Sequence, residues 1–106
     1  MPREKFQTLT EQMFYILLCL RQEQCGMDVM EQVARMTGGR VSVGPGTLYN
    51  LLEQFVSAGM IVETKVEGRR RSYIITAKGK ESLENEYRRL CTLTADYLRM
   101  TEGGPV

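Results

Sequence analysis

The chain has 106 residues, 42% of them apolar, and a formal net charge of +1. That is the size of one domain with one hydrophobic core, small enough for a second copy to add materially to its stability. There is no histidine, which removes the commonest general base and metal ligand. Cys19, Cys25 and Cys91 have no CxxC spacing, so neither a disulfide framework nor a metal site is expected; Cys19 and Cys91 fall in apolar helical patterns and read as buried thiols. No apolar run approaches the roughly 20 residues of a membrane span, and the N-terminus lacks the order of a signal peptide. The expectation is a cytoplasmic protein with no membrane partner and no cofactor. It is not expected to be an enzyme, because no nucleophile–base pair or carboxylate dyad stands at a readable spacing.

The near-zero net charge hides an uneven distribution. Residues 1–37 carry four basic and five acidic side chains, 38–80 carry seven and three, and 81–106 carry three and five. The surplus centres on Arg69-Arg70-Arg71.

In chain order, a polar leader with Phe6 as its one large apolar residue precedes a helix over about 9–22, capped by Thr8 or Thr10. Leu9, Met13, Ile16, Leu17 and Leu20 make its stripe, and Phe14, Tyr15, Leu18 and Cys19 make the remaining faces apolar too. Such a helix is buried on more than one side. Gly26 breaks the pattern. A second helix covers about 27–36, with Met30, Val33 and Ala34 inward, and Thr37-Gly38-Gly39-Arg40 ends it. Val41-Ser42-Val43 reads as extended. A third helix covers about 45–58, opening on Pro45, which a first turn tolerates, and closing at Gly59. Leu48, Leu51, Leu52, Phe55 and Val56 form its inward face, so Gly46, Tyr49, Asn50 and Glu53 point outward, with Thr47 beside them.

From Met60 the period becomes two. Ile61, Val62, Thr64 and Val66 suit a strand, Glu67-Gly68 a turn, and 72–76 the returning strand. A hairpin alone is marginal and must lie against the helices. The last helix runs to about Met100, roughly 35 Å at 1.5 Å per residue, with Gly79 weakening its start and Gly103-Gly104-Pro105 as a frayed end. Leu83, Tyr87, Leu90, Thr94 and Tyr97 recur at spacings of four and three, a coiled-coil-like seam.

The predicted class is mainly α with a small β-hairpin: a winged helix-turn-helix over 1–76 and a long C-terminal dimerisation helix with a frayed tail over 77–106. In such a fold the third helix enters the major groove of double-stranded DNA with its N-terminal residues leading. Gly44 and Gly46 let backbone approach a phosphate, and the free N–H groups and dipole of that end favour an anion. Thr47 can donate to phosphate or a base edge, Tyr49 can reach a phosphate, and Asn50 has the donor–acceptor pair that suits adenine. Ser42, on the approach to the helix, joins this set. Arg69, Arg70 and Arg71 are candidates for the sugar–phosphate backbone or the minor groove, with Lys65, Arg40 and Lys78 widening the patch. The plainer readings are a loop ending at a helix and a charged hairpin edge that discourages aggregation.

For the last helix the plainer reading is packing within one chain. A homodimer seam is preferred, because Tyr87, Leu90, Leu93, Tyr97, Leu98 and Met100 exceed what one small core requires. A dimer of this kind presents two reading helices about 34 Å apart and implies an approximately palindromic operator. The rival is a winged-helix module that binds protein and not DNA.

The segments LTEQMFYILLCL (9–20), CGMDVMEQVARMTGGRVSVGPGTLYNLLEQFVSAGMI (25–61) and RRRSYIITAKGKESL (69–83) resemble the PadR family of bacterial transcriptional regulators, in its smaller subgroup with one C-terminal helix. The resemblance implies a homodimeric winged-helix repressor whose C-terminal helix, helped by the first, makes the dimer. It also implies DNA contacts at Thr47, Tyr49 and neighbouring third-helix positions and at the wing arginines. In some members a planar or aromatic effector binds at the dimer interface; the matching region here is Tyr87, Leu90 and Cys91, with Met13 and Leu17 as walls. The chain has no tryptophan, so a ligand sandwich built on that residue is unavailable, and Met27 stands where an aromatic residue is common.

Overall fold

The computed structural model describes residues 8–103; Phe6 and Gly104-Pro105 lie outside them. Helix α1 (Glu11–Cys19) opens on Thr10, whose hydroxyl accepts from the Met13 N–H at 3.2 Å. Predicted to run to residue 22, α1 stops at Cys19 because its last carbonyls are claimed from elsewhere. The Gln24 side chain donates to the Cys19 carbonyl at 2.7 Å, and the Ile75 N–H to that of Leu20 at 2.8 Å. The chain then forms a two-residue strand, β1 (Gln24–Cys25), which no periodicity announces.

Helix α2 (Gly26–Met36) buries Val29 and Val33. Gly38 and Gly39 at positive φ turn the chain away from its end. Residues 41–43 make no ladder; Val41 and Val43 plug into the core and leave Ser42 outside. Helix α3 (Pro45–Ser57) buries Leu48, Leu51, Leu52 and Phe55. It closes in a Schellman motif: Met60 N–H bonds the Phe55 carbonyl, Gly59 N–H bonds the Val56 carbonyl, and Gly59 sits at φ 77°. Val56, expected inward, is exposed. It lies one position past the apolar arc, where the wing does not cover it.

Strands β2 (Ile61–Glu67) and β3 (Arg70–Ile75) are antiparallel, and the sheet order is β1-β3-β2. β3 is therefore the middle strand of three, which ties the wing to the start of α2. Helix α4 (Ala77–Leu98) is capped by Thr76, whose hydroxyl accepts from the Gly79 N–H and donates to the Gly59 carbonyl at 2.6 Å. A short π-helical turn (Arg99–Gly103) follows. Gly79, read as a weak point, is instead buried against the Met60 backbone, where only a residue without a side chain fits.

The core is continuous, from Ile16, Leu17 and Leu20 of α1 through Val29 and Val33 to Leu48, Leu52, Phe55, Met60 and Ile61. Leu83, placed by its spacing on the partner-facing seam, is 8% exposed and packs in this core. Glu86 is buried as well; its carboxylate accepts from the Leu9 N–H at 3.1 Å and from Arg89, fastening α4 to the start of α1. From Tyr87 onward every residue of α4 except Asp96 is exposed, and the molecule extends 60 Å in its longest direction.

Candidate nucleic-acid interface

The start of α3 carries few constraints from the chain itself. Its N-cap, Gly44, has extended backbone and offers no side-chain cap, and Pro45 occupies the first turn. The Leu48 N–H is the first to bond back, to the Gly44 carbonyl at 2.9 Å, so the amides of Gly46 and Thr47 have no helical partner. Neither Gly44 nor Gly46 has positive φ, and a Cβ at either would meet nothing within 4 Å. Gly46, Thr47, Tyr49, Asn50 and Glu53 are exposed, as the spacing predicts, with Tyr49 at 46%.

Tyr49 is not a free side chain. Its ring lies across the first residue of α2, so that a Cβ built on Gly26 would stand 2.9 Å from the ring edge. The same ring borders a groove of about 490 Å³ between α3 and the wing, lined by Tyr49, Glu53 and Val56 on one side and Glu63, Arg71 and Tyr73 on the other. The outer face of α3 and one face of the wing thus share a single concavity. Burial holds the Tyr73 phenol protonated above its ordinary range.

The three wing arginines diverge. The returning strand, expected over 72–76, begins at Arg70, and Arg69 falls with Gly68 in the turn. Among the described residues Arg69 has no hydrogen-bond or ion-pair partner. Arg70 reaches back to α2, donating to Cys25 Sγ at 3.1 Å and standing 3.9 Å from Asp28. Arg71 pairs across the hairpin with Glu63 at 3.2 Å. A bulge leaves Thr64 unpaired and sets Lys65 opposite Ser72, and Lys65 lies 3.8 Å from Glu67. Arg40 is turned to α1, bonded to Glu11 at 2.6 Å and to the Tyr15 hydroxyl. Ser42 is exposed, and its carbonyl accepts from the Gln12 side chain. Helix α3 itself contains no cation and one carboxylate, Glu53. Positive charge at this face is the wing's, and most of it stands beside carboxylates.

On α4, Tyr87, Leu90, Leu93, Tyr97 and Leu98 are exposed, as are Thr94 and Cys91, and Met100 is exposed in the turn that follows. Cys91 therefore does not behave as the buried thiol its apolar context suggested. Two grooves run between α1 and α4 on either side of Phe14. One, about 450 Å³, is bounded by Leu18, Arg21, Lys80 and Tyr87; the other, about 330 Å³, by Leu9, Tyr15, Arg89 and Leu90. Of the walls expected from α1, Leu17 is wholly in the core and Met13 packs against it. Phe14 and Leu18 face α4 instead. They lie on the second apolar face of α1, which the stripe alone did not rank as a wall.

Three helices, with a β-hairpin wing hydrogen-bonded to the chain entering the second helix, define a winged helix-turn-helix. The sequence matches the PadR-like family of transcriptional regulators over residues 16–85, and the chain belongs to that family, one of regulators and not enzymes. Its fold is similar to that of a PadR family transcriptional regulator from Eggerthella lenta DSM 2243 (20% identity, TM-score 0.73, covering 86% of this chain and 81% of that one). It is similar also to a transcriptional regulator from Clostridium thermocellum (18% identity, TM-score 0.71, 88% and 93%), and to RosR of H. salinarum (20% identity, TM-score 0.65, 91% and 99%). No curated protein matches the chain significantly. Among the described residues no helix is long and apolar enough to cross a membrane.

Proposed function

We propose that this regulator is a sequence-specific DNA-binding repressor that acts as a homodimer on a palindromic operator. The observation that carries the reading is the shared groove: Tyr49 of α3 and Arg71 of the wing line one concavity, so a duplex seated on α3 also meets the wing. Thr47 and Asn50 read base edges from the start of α3, Tyr49 and Ser42 meet the backbone, and Gly46 gives the phosphate room. Arg69, Arg70, Arg71 and Lys65 supply the electrostatic contact. The unforced glycines support this, since the chain itself makes no use of the space before them.

The exposed apolar face of α4 supports the dimer, with Tyr87, Leu90, Leu93, Thr94 and Tyr97 against a second copy. Leu83 contributes from beneath, as part of the core that carries the helix. A small aromatic effector fits the grooves beside Phe14, near Tyr87, Leu90 and Cys91. It would relieve repression only by binding one spacing of the two reading helices better than another.

Selection of bound sequences from a random duplex pool at two salt concentrations tests the reading. The expected result is a palindrome whose half-sites are about one turn apart, bound with a steep salt dependence. Binding without that dependence, or a protein ligand in place of DNA, would overturn it in favour of a protein-binding winged helix.

A further inference from the structure

The step from β1 into α2 touches both halves of the proposed reading surface. Gly26 is buried, and what a Cβ there would meet is the far end of one side chain, Tyr49, at its Cε1, Cζ and hydroxyl, 2.9–3.1 Å away. The three nearest atoms all belong to that phenol and none is backbone, so the glycine leaves room for the ring. Cys25, the preceding residue and the N-cap of α2, is buried, and its Sγ accepts from the Arg70 guanidinium at 3.1 Å. Its backbone is paired with Ser72 of β3, two residues beyond Arg70. One dipeptide therefore contacts an aromatic residue of α3 and an arginine of the wing.

From this geometry we propose that Cys25-Gly26 is a positioning element for DNA binding: Gly26 sets where the Tyr49 phenol lies, and Cys25 holds Arg70. The inference rests on the DNA-binding reading above. The physical reason is preorganisation. A phenol and a long guanidinium side chain lose rotamer freedom when they grip a phosphate, and seating them beforehand lowers that cost. Neither residue need touch the nucleic acid. The arrangement also registers helix and wing from a single point, so the distance between their contacts is set by α2 and not by the hairpin alone.

The test uses the full chain labelled with fluorotyrosine, and a duplex obtained by the selection described above. The Tyr49 fluorine resonance is the one lost in Tyr49→Phe. Gly26→Ala is expected to shift that resonance, leave the thermal transition nearly unchanged, and weaken binding by about three- to tenfold, the weight of one polar contact. In a Tyr49→Ala background the same glycine substitution is expected to cost nothing further. Cys25→Val is expected to weaken binding where Cys25→Ser, which keeps an acceptor, does not, and to have no added effect once Arg70 is alanine. An unmoved Tyr49 resonance, or losses that simply add in either double variant, overturns the proposal. A wild-type chain that binds no DNA overturns the functional reading instead, and the fluorine shift then still decides whether Gly26 seats the phenol.

Discussion

Gly79 and Met60 are in backbone contact: a Cβ at Gly79 would stand 2.2 Å from the Met60 carbonyl oxygen and 2.7 Å from Ile75 Cγ1. Backbone cannot yield as a side-chain tip does. Gly79→Ala must lever the first turn of α4 off the strand it packs on, at a cost of about 3 kcal/mol or more. A fall in Tm of about 15 °C is expected in thermal unfolding.

Gly46 presents the opposite case. It lies inside α3 at ordinary φ with open space before it. Gly46→Ala should stabilise the fold by up to about 1 kcal/mol through helix propensity, yet weaken operator binding, because the new methyl occupies the approach to the phosphate. Denaturant unfolding and a binding titration on the same sample check both signs.

Charge in the wing is partly spent within the chain. Arg71 must leave Glu63 to meet a phosphate, whereas Arg69 has no carboxylate to leave among the described residues. Arg69→Ala should reduce the slope of log affinity against log salt by about one unit. Glu63→Gln should tighten binding on all sequences alike. Asn50→Ala should cost about 1–3 kcal/mol on the selected operator and little on random duplex.

Leu83 and Leu90 stand seven residues apart on one helix and differ in fate: the first is core, the second exposed. Leu83→Ala should cost about 2–4 kcal/mol of stability. Leu90→Asp should leave the secondary structure intact by circular dichroism and give monomers in sedimentation.

Glu86 gives the fold an acid limit. Arg89 first, and then the Leu9 amide, hold its carboxyl below the ordinary value of 4.5 against the opposing effect of burial. The ionised form is the one the fold favours. Its contribution is complete above about pH 4.5 and is lost as the pH falls through the lower folded value. Stability followed through that window should fall less steeply in Glu86→Gln than in the wild type.

Periodicity and terminators were enough to place three helices, a hairpin and a long last helix. They also gave the outward set of α3, because Leu48, Leu51, Leu52 and Phe55 recur at one helical spacing and leave Tyr49 and Asn50 no inward position. Gly59 was legible as a stop, since a positive φ at a helix end is a local need. What the sequence could not carry were pairings between distant residues. The strand at Gln24–Cys25 exists only because β3 lies beside it. Leu83 is buried and Cys91 exposed because the domain ends beneath Glu86, not because their neighbours differ in character. Gly26 read as a break between helices and Gly79 as a weak helix start, yet one faces a tyrosine ring and the other a carbonyl. Local propensity sets where elements begin and end; the faces they bury, and the glycines they cannot replace, are decided where chain segments far apart in sequence come within van der Waals reach.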